Sequence, residues 1–135
     1  MVRERLGLLG GTFDPPHFGH LAAAVEVRAA LGLDRVLLLV ANEPWQKVGG
    51  RELSAAGDRL AMTEALCVGI DGVEASSIEI DRGGPTYTIE TLEQLRTGAP
   101  DVELFLIVGA DAAAGLATWE RHRELPALAT LVIVD

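Results

Sequence analysis

Short apolar runs alternate with segments of helical periodicity along this chain. Residues 35–40, apolar after Arg35, and residues 104–108 form continuous apolar runs, which are typical of parallel strands covered on both faces. Residues 21–31 predict a helix ended by Gly32, and residues 81–85 predict a loop. Further strands are predicted at residues 6–9, 73–80 and 131–134, and further helices at 55–68, between 86 and 98, around 116–119 and around 125–128. This order predicts an α/β fold, a doubly wound and mainly parallel sheet with helices on both faces.

Polar residues before the helical patterns indicate where the helices begin. Asp14 can cap the first helix, with Pro15 at its first helical position. Ser54 can cap the second helix, and Thr86 or Thr88 the third. Helical spacing predicts the inward side chains of the second and third helices as Leu60, Thr63, Leu66, Ile89, Leu92 and Leu95.

Three segments directly follow predicted strands, namely residues 10–20, 42–47 and 109–119. Ligands of doubly wound sheets bind beyond the carboxyl ends of the strands, at the point where the strand order reverses. We therefore expect these three segments to converge on one site.

The first of these segments reads GGTFDPPHFGH, with two glycines after a strand and two histidines at a helix start. Such a turn presents backbone N–H groups beside the positive end of a helix dipole, which suits a phosphate group. His17 and His20 are three residues apart and therefore share one face of the helix. The pattern favours chemistry at phosphorus; the alternative is a glycine turn with two surface histidines.

Composition limits the class of protein. The 135 residues suffice for one domain over residues 1–135, and the formal charge of −9 argues against broad nucleic-acid binding. No apolar run approaches the length of a membrane span, and no secretory signal is visible, so a cytoplasmic protein is expected. Cys67 is predicted to be a core thiol. A local cluster of donors can still bind an anionic small ligand.

Four motifs carry a resemblance to a known family. GTFDPPHFGH resembles the signature of the nucleotidylyltransferase superfamily, whose HxGH element is similar to that of class I aminoacyl-tRNA synthetases. ANEPWQK, DRGGPTYTIETL and VGAD with a tryptophan eight residues on resemble bacterial nicotinate-nucleotide adenylyltransferase. The resemblance implies a Rossmann-like fold. It also implies adenylyl transfer from ATP, carried with Mg²⁺, to nicotinate mononucleotide, giving the dinucleotide and pyrophosphate in NAD biosynthesis.

The resemblance also implies roles for residues at the matching positions. The implied catalytic residues are His17, His20 and Lys47. The implied ligands of ATP and its phosphates are Gly10, Gly11, Thr12, Phe13, Asp14, Gly19, Gly109 and Asp111. The implied ligands of the nicotinate nucleotide are Thr86, Tyr87 and Trp119. No metal ligand is predicted, because no acidic or histidine cluster has suitable spacing.

Several of these side chains also have a structural interpretation. Lys47 can be a solvated surface lysine, and Trp119 can pack in the core. Thr86 can cap a helix, as can Asp111. Arg82 can bind phosphate or be an ordinary loop cation. A helical arginine, Arg59, is expected to be structural.

Two other functions stay open at this stage. One is a different adenylyl- or cytidylyltransferase of the superfamily, such as one acting on pantetheine phosphate; the other is a nucleotide-binding module without turnover. The resemblance places a Ser/Thr-rich motif with an arginine beyond the apolar strand at residues 131–134, and no such motif is present. We therefore expect an incomplete version of a longer enzyme, with weakened ATP binding. A homo-oligomer stays open, as does the degree of preference for nicotinate over nicotinamide.

Overall fold

A parallel sheet forms the centre of the chain in a computed structural model, which describes residues 3–44 and 52–135. The strands of the described part are β1 Arg5–Gly11, β2 Arg35–Val40, β3 Glu43–Pro44, β4 Val73–Ser76, β5 Pro85–Thr86, β6 Glu103–Gly109 and β7 Thr130–Val134. Its α-helices are α1 Phe18–Leu31, α2 Ala56–Cys67, α3 Ile78–Arg82, α4 Thr88–Gly98, α5 Ala110–Ala114 and α6 Leu125–Leu128. Single 3-10 turns occupy Leu116–Thr118 and His122–Glu124.

The strand order of the main sheet is β4-β2-β1-β6-β7, and all the neighbouring strands are parallel. The chain leaves β1 toward β2 on one side and later returns to pair β6 on the other. The order therefore reverses between β1 and β6, which is where a doubly wound sheet opens a crevice for ligands. The predicted doubly wound α/β fold is confirmed.

Alternation along the strands divides the buried side chains into two cores. In β2, Val36, Leu38 and Val40 belong to one core, whereas Leu37 and Leu39 belong to the other. The first core is completed by α1 and α2, and the second by α4 and α6. Both faces of the sheet are thus covered, as the apolar β2 and β6 sequences predicted.

Three of the six predicted inward positions in the second and third helices are less buried than expected. Thr63, Ile89 and Leu92 are buried as predicted, whereas Leu60, Leu66 and Leu95 are only partly buried. In α2 the buried face is formed instead by Arg59, Thr63 and Cys67. The prediction that Cys67 is a core thiol is confirmed, and burial raises the pKa of this thiol.

The predicted strand at residues 73–80 is too long, and part of the predicted loop at 81–85 is wrong. Strand β4 ends at Ser76, and the helix α3 follows over Ile78–Arg82. The alternating apolar residues of this stretch suggested a strand. The Ser76 hydroxyl accepts a hydrogen bond from the Ile78 N–H and turns the chain into α3 instead.

The predicted helix caps are also wrong. His17 is the N-cap of α1, so Asp14 does not cap it and Pro15 does not begin it. Ala55 precedes α2 and Tyr87 precedes α4, neither with a side-chain cap. Ser54, Thr86 and Asp14 are bound to other segments, because long-range contacts outweigh local capping preference at these positions.

The edge strand β7 pairs only with β6 among the described strands. Its side chains Leu131 and Ile133 are 43% and 56% exposed. Within residues 3–44 and 52–135, no helix is long and apolar enough to cross a membrane.

Candidate functional site

A cleft of about 200 Å³ opens at the carboxyl ends of β1, β2 and β6, where the strand order reverses. It is smaller than the roughly 300–1,000 Å³ of sites that enclose a whole drug-sized ligand, so it fits one ring of a larger molecule. Its described lining includes Gly10, Gly11, Thr12, Leu39, Ala41, Pro44, Glu79, Thr86, Thr88, Gly109 and Trp119. Each of the three post-strand segments contributes lining residues to this cleft, whereas His17, His20 and Asp111 are not among its described lining.

Two histidines form the N-terminal cap of α1. The Gly19 N–H donates to His17 Nδ1, and the His17 N–H donates to His20 Nδ1, each over 3.1 Å. Their rings stack at 3.9 Å between centroids, with 27° between planes. The two side chains therefore satisfy the first backbone donors of the helix and fix one another at the same time.

These bonds determine which ring nitrogen carries the proton. Because Nδ1 of each histidine accepts a hydrogen bond, Nε2 must carry the proton in the neutral ring. Burial lowers the pKa of His20, and the neighbouring His17 lowers it further. His20 is thus held as a neutral imidazole with an outward N–H donor.

Two neighbours explain why the histidine pair can pack in this way. A Cβ on Gly19 would lie 2.9 Å from the His17 ring, so only glycine allows the cap. Phe13 is 2% exposed and meets the His20 ring edge-on at 4.7 Å between centroids. Phe13 takes a left-handed backbone conformation, with φ of 52°, to reach this position.

Arg59 ties together the loops around the cleft. It is 1% exposed and donates to four backbone carbonyls, those of Thr12, Ala41, Asn42 and Ser54, over 2.6–3.0 Å. These carbonyls belong to the segments after β1, after β2 and before α2. The expectation that Arg59 is structural is confirmed, although nothing in the sequence indicated which loops it would join.

Thr86 is joined to the same network. Its Oγ1 accepts the Asn42 N–H over 2.9 Å, and the Asn42 side chain donates to the Gly84 carbonyl. The short strands β3 and β5 pair in parallel beside these bonds. Because the Thr86 oxygen already accepts this bond, its hydroxyl proton is available to donate into the cleft.

Glu79, which sequence reasoning missed, lines the cleft from α3. It is 4% exposed, and its Oε2 accepts the Thr91 hydroxyl over 2.7 Å. Arg82 donates to the same Thr91 oxygen and to Gln94, so Arg82 serves a structural network here. Burial raises the pKa of Glu79, opposed by the Thr91 hydrogen bond and the Arg82 charge. No spacing rule marks this residue, because the alternating sequence of residues 73–80 predicts a strand where α3 lies.

The remaining predicted residues lie in different places. Trp119 is partly buried, packs against the second core and lines the cleft, and its buried indole N–H has no partner in the described part of the chain. Asp111 is exposed in the first turn of α5, which Gly109 precedes, so it does not cap that helix. Tyr87 packs against the second core. Lys47 lies outside the described residues.

Among the residues that the structure describes, no group of three or more His, Cys, Asp or Glu could hold a metal ion. The polar groups that the site offers a ligand are imidazole N–H groups at the start of α1, and a hydroxyl, a carboxyl and an indole at the cleft.

Sequence comparison finds related proteins over most of the chain. The cytidylyltransferase-like family model matches residues 8–135. A probable nicotinate-nucleotide adenylyltransferase of Frankia casuarinae is 54% identical over 94% of this chain and 66% of that relative. One of Corynebacterium kroppenstedtii is 49% identical, over 96% of this chain and 61% of that relative. The chain thus spans less than two thirds of the length of these relatives.

Structural comparison finds the same fold in solved proteins. A putative nicotinate-nucleotide adenylyltransferase from Vibrio parahaemolyticus matches with a TM-score of 0.78 and 20% identity, over 96% of this chain and 72% of that one. The Plasmodium falciparum nicotinic acid mononucleotide adenylyltransferase complexed with NaAD matches with a TM-score of 0.79 and 12% identity, over 98% and 76%.

Proposed function

This chain belongs to the cytidylyltransferase-like family, and from that premise we propose that the protein transfers an adenylyl group from ATP to nicotinate mononucleotide. The products are nicotinate adenine dinucleotide and pyrophosphate, as in NAD biosynthesis. The names of the sequence relatives support this choice of substrates within the family.

One observation carries the proposal most directly. The His17–His20 pair leaves its Nε2 atoms as donors at the start of α1, and Gly10, Gly11 and Thr12 of the preceding segment line a cleft that also contains Trp119 and the Thr86 hydroxyl. A phosphate-directed donor pair beside a ring-sized cleft suits a reaction between a nucleoside triphosphate and a second, aromatic nucleotide.

In the proposed reaction, the mononucleotide phosphate attacks the α-phosphorus of ATP in line with the departing pyrophosphate. A phosphate monoester is already anionic at neutral pH, so no general base is needed. Catalysis then depends on positioning and on stabilising the charge of the transferring phosphoryl group. His17 and His20 supply N–H donors to its oxygens, and the resemblance of residues 41–47 to the related enzymes suggests Lys47 as a cation near the same phosphates.

The ATP side is proposed to use the backbone around β1 and β6. Gly10, Gly11 and Thr12 line the cleft at the end of β1, and Gly109 lines it at the end of β6. The absence of side chains at the glycines lets phosphate or sugar approach the backbone closely. Phe13 and Gly19 hold the two histidine rings in position. Asp14 and Asp111 are proposed to lie near the bound nucleotide.

The acceptor side is proposed to use Thr86 and Trp119, with Tyr87 supporting the start of α4. Trp119 offers an indole face for a pyridine ring. The Thr86 hydroxyl can donate a hydrogen bond to the carboxylate of that ring. Because this bond is charge-assisted, it favours nicotinate over nicotinamide. Mg²⁺ enters this proposal together with the ATP substrate, whose phosphate oxygens it binds.

A pyrophosphate-release assay tests the proposal. The full chain is supplied with Mg-ATP and, in separate reactions, nicotinate mononucleotide, nicotinamide mononucleotide and pantetheine phosphate. We expect turnover with nicotinate mononucleotide and at least about tenfold lower efficiency with the amide, equivalent to ~1.4 kcal/mol. Preferred turnover of pantetheine phosphate would indicate the other transferase, and binding without turnover would indicate a nucleotide-binding module.

A further inference from the structure

The cleft has a single ionisable side chain among its described lining residues, and that side chain is Glu79. Every other described lining residue is apolar, glycine, threonine or tryptophan. Glu79 is also one of the few buried charged side chains in the described part of the molecule, at 4% exposure. A carboxyl group in this position must either stabilise the fold or contact a bound ligand.

The fold gives Glu79 only part of what a buried carboxylate needs. One oxygen accepts the Thr91 hydroxyl. The Arg82 charge acts on the carboxyl group, but Arg82 donates its hydrogen bond to that same hydroxyl and not to Glu79. Arg82 is the charged group that faces it from α3, Thr91 is the polar group that faces it from α4, and the described strand residues around the cleft carry no charge. An incompletely compensated carboxylate in an apolar cleft is costly unless a ligand supplies positive charge.

We propose that Glu79 is a specificity-determining residue whose carboxylate is the counter-ion of a cationic heteroaromatic ring bound against Trp119. This inference rests on the proposed function, because the ring of nicotinate mononucleotide is a pyridinium whose positive nitrogen is bonded to the ribose. An aromatic face is a recognised binding element for quaternary nitrogen cations, and a carboxylate adds direct charge compensation.

The two charges of the acceptor ring would then be bound by two different elements. Thr86 on β5 donates to the ring carboxylate, and Glu79 on α3 compensates the ring nitrogen. A neutral ring of the same shape would gain nothing from Glu79 and would leave its carboxylate buried without a partner charge. The cleft would therefore discriminate between the pyridinium and its reduced, uncharged form.

The test is a calorimetric titration of the full chain with nicotinate mononucleotide and with its 1,4-dihydro form, which has the same groups but an uncharged ring. We expect the wild type to bind the pyridinium at least about tenfold more tightly. Glu79→Gln should lose about tenfold in affinity for the pyridinium and change its affinity for the dihydro form by less than about twofold. Glu79→Asp, which keeps the charge, should retain part of the discrimination.

Glu90→Gln is the matched control, because Glu90 is exposed in the first turn of α4 and is not among the described lining residues. It should bind both forms as the wild type does. Equal loss of both forms in Glu79→Gln would indicate a structural role and overturn the inference, as would unchanged binding of the pyridinium. If the wild type bound neither form, the proposed function would fail and this inference with it; wild-type binding of both forms with equal affinity would overturn the inference alone.

Discussion

The start of α1 and the cleft behind it are built in opposite ways. At the start of α1, every contact that positions His17 and His20 lies within four consecutive residues, apart from the packing of Phe13. At the cleft, the contacts join distant parts of the chain: Arg59 reaches Thr12 across 47 residues, and Asn42 reaches Thr86 across 44. A local motif can be recognised from a short stretch of sequence, whereas a long-range network cannot.

Because one region is built locally and the other from long-range contacts, substitutions in the two regions should have different consequences. Substitutions at the start of α1 should affect turnover with little effect on folding. Substitutions in the network around the cleft should affect stability or binding of the acceptor.

The largest expected effect is on stability, from Arg59→Met. This change leaves one buried and three partly buried carbonyls without their shared donor. An unsatisfied buried group costs about 1–3 kcal/mol, and partly buried groups cost less, so we expect a loss of about 3 kcal/mol or more in the free energy of unfolding. Urea unfolding of the full chain measures it. Arg35→Met is the control, because its exposed ion pairs with Glu4 and Glu74 should contribute less than about 1 kcal/mol. Equal losses in the two variants would show that the Arg59 network contributes no more to stability than an exposed ion pair does.

Next in size is the effect of the histidines on turnover. His17→Ala or His20→Ala should lower turnover about 100-fold or more, the scale of losing one preorganised donor to a transition state. The free energy of unfolding should fall by only about 1 kcal/mol, as for a lost helix cap. His122→Ala serves as the comparison, since this histidine lies in a 3-10 turn away from α1. Wild-type turnover in either α1 variant would be incompatible with the proposed role of the pair.

A smaller effect is expected at the acceptor end. Thr86→Val keeps the shape of the side chain but removes the hydroxyl that accepts the Asn42 N–H and can donate into the cleft. We expect the preference for nicotinate over nicotinamide mononucleotide to fall by about tenfold, with an unchanged KM for ATP. Steady-state kinetics with both acceptors would measure this. A parallel rise in the KM for ATP would show that the two ends of the site are not separable.

The sequence predicted features that depend on local patterns and missed those that depend on long-range contacts. Apolar runs predicted β2, β6 and the parallel sheet, because burial on both faces leaves a continuous apolar sequence. The HxGH pattern indicated the histidine pair, because helix geometry alone brings positions 17 and 20 together. Asp14 and Ser54 looked like helix caps but bind one another across 40 residues, with the Ser54 N–H donating to the Asp14 carboxylate.

Glu79 shows most clearly why the rest could not be predicted. Its stretch alternates like a strand, and its burial depends on α3 and α4 packing over the end of the sheet. A glutamate between two isoleucines resembles an exposed position of a half-buried strand. Only the tertiary arrangement shows that its carboxyl group faces inward.

The smallest expected effect concerns the dependence of stability on pH, and it has opposite signs at two glutamates. Burial raises the pKa of Glu79 above its ordinary value of 4.5. Between that value and the raised pKa the folded state holds a proton that the unfolded state has lost, so stability falls as pH rises through this window. Glu79→Gln removes this titration. The variant should therefore gain stability relative to the wild type as pH increases from 4 toward neutrality, and the difference should vanish at low pH.

Glu93 provides the opposite case on the protein surface, because its hydrogen bonds from Arg121 lower its pKa. Its contribution is present above the ordinary pKa and is lost as pH falls below it, so Glu93→Gln should lose stability relative to the wild type as pH rises toward 4.5. Urea unfolding of both variants from about pH 3 to 8 measures the two slopes. Parallel slopes would mean that Glu79 does not experience the buried environment that its proposed role in the cleft requires.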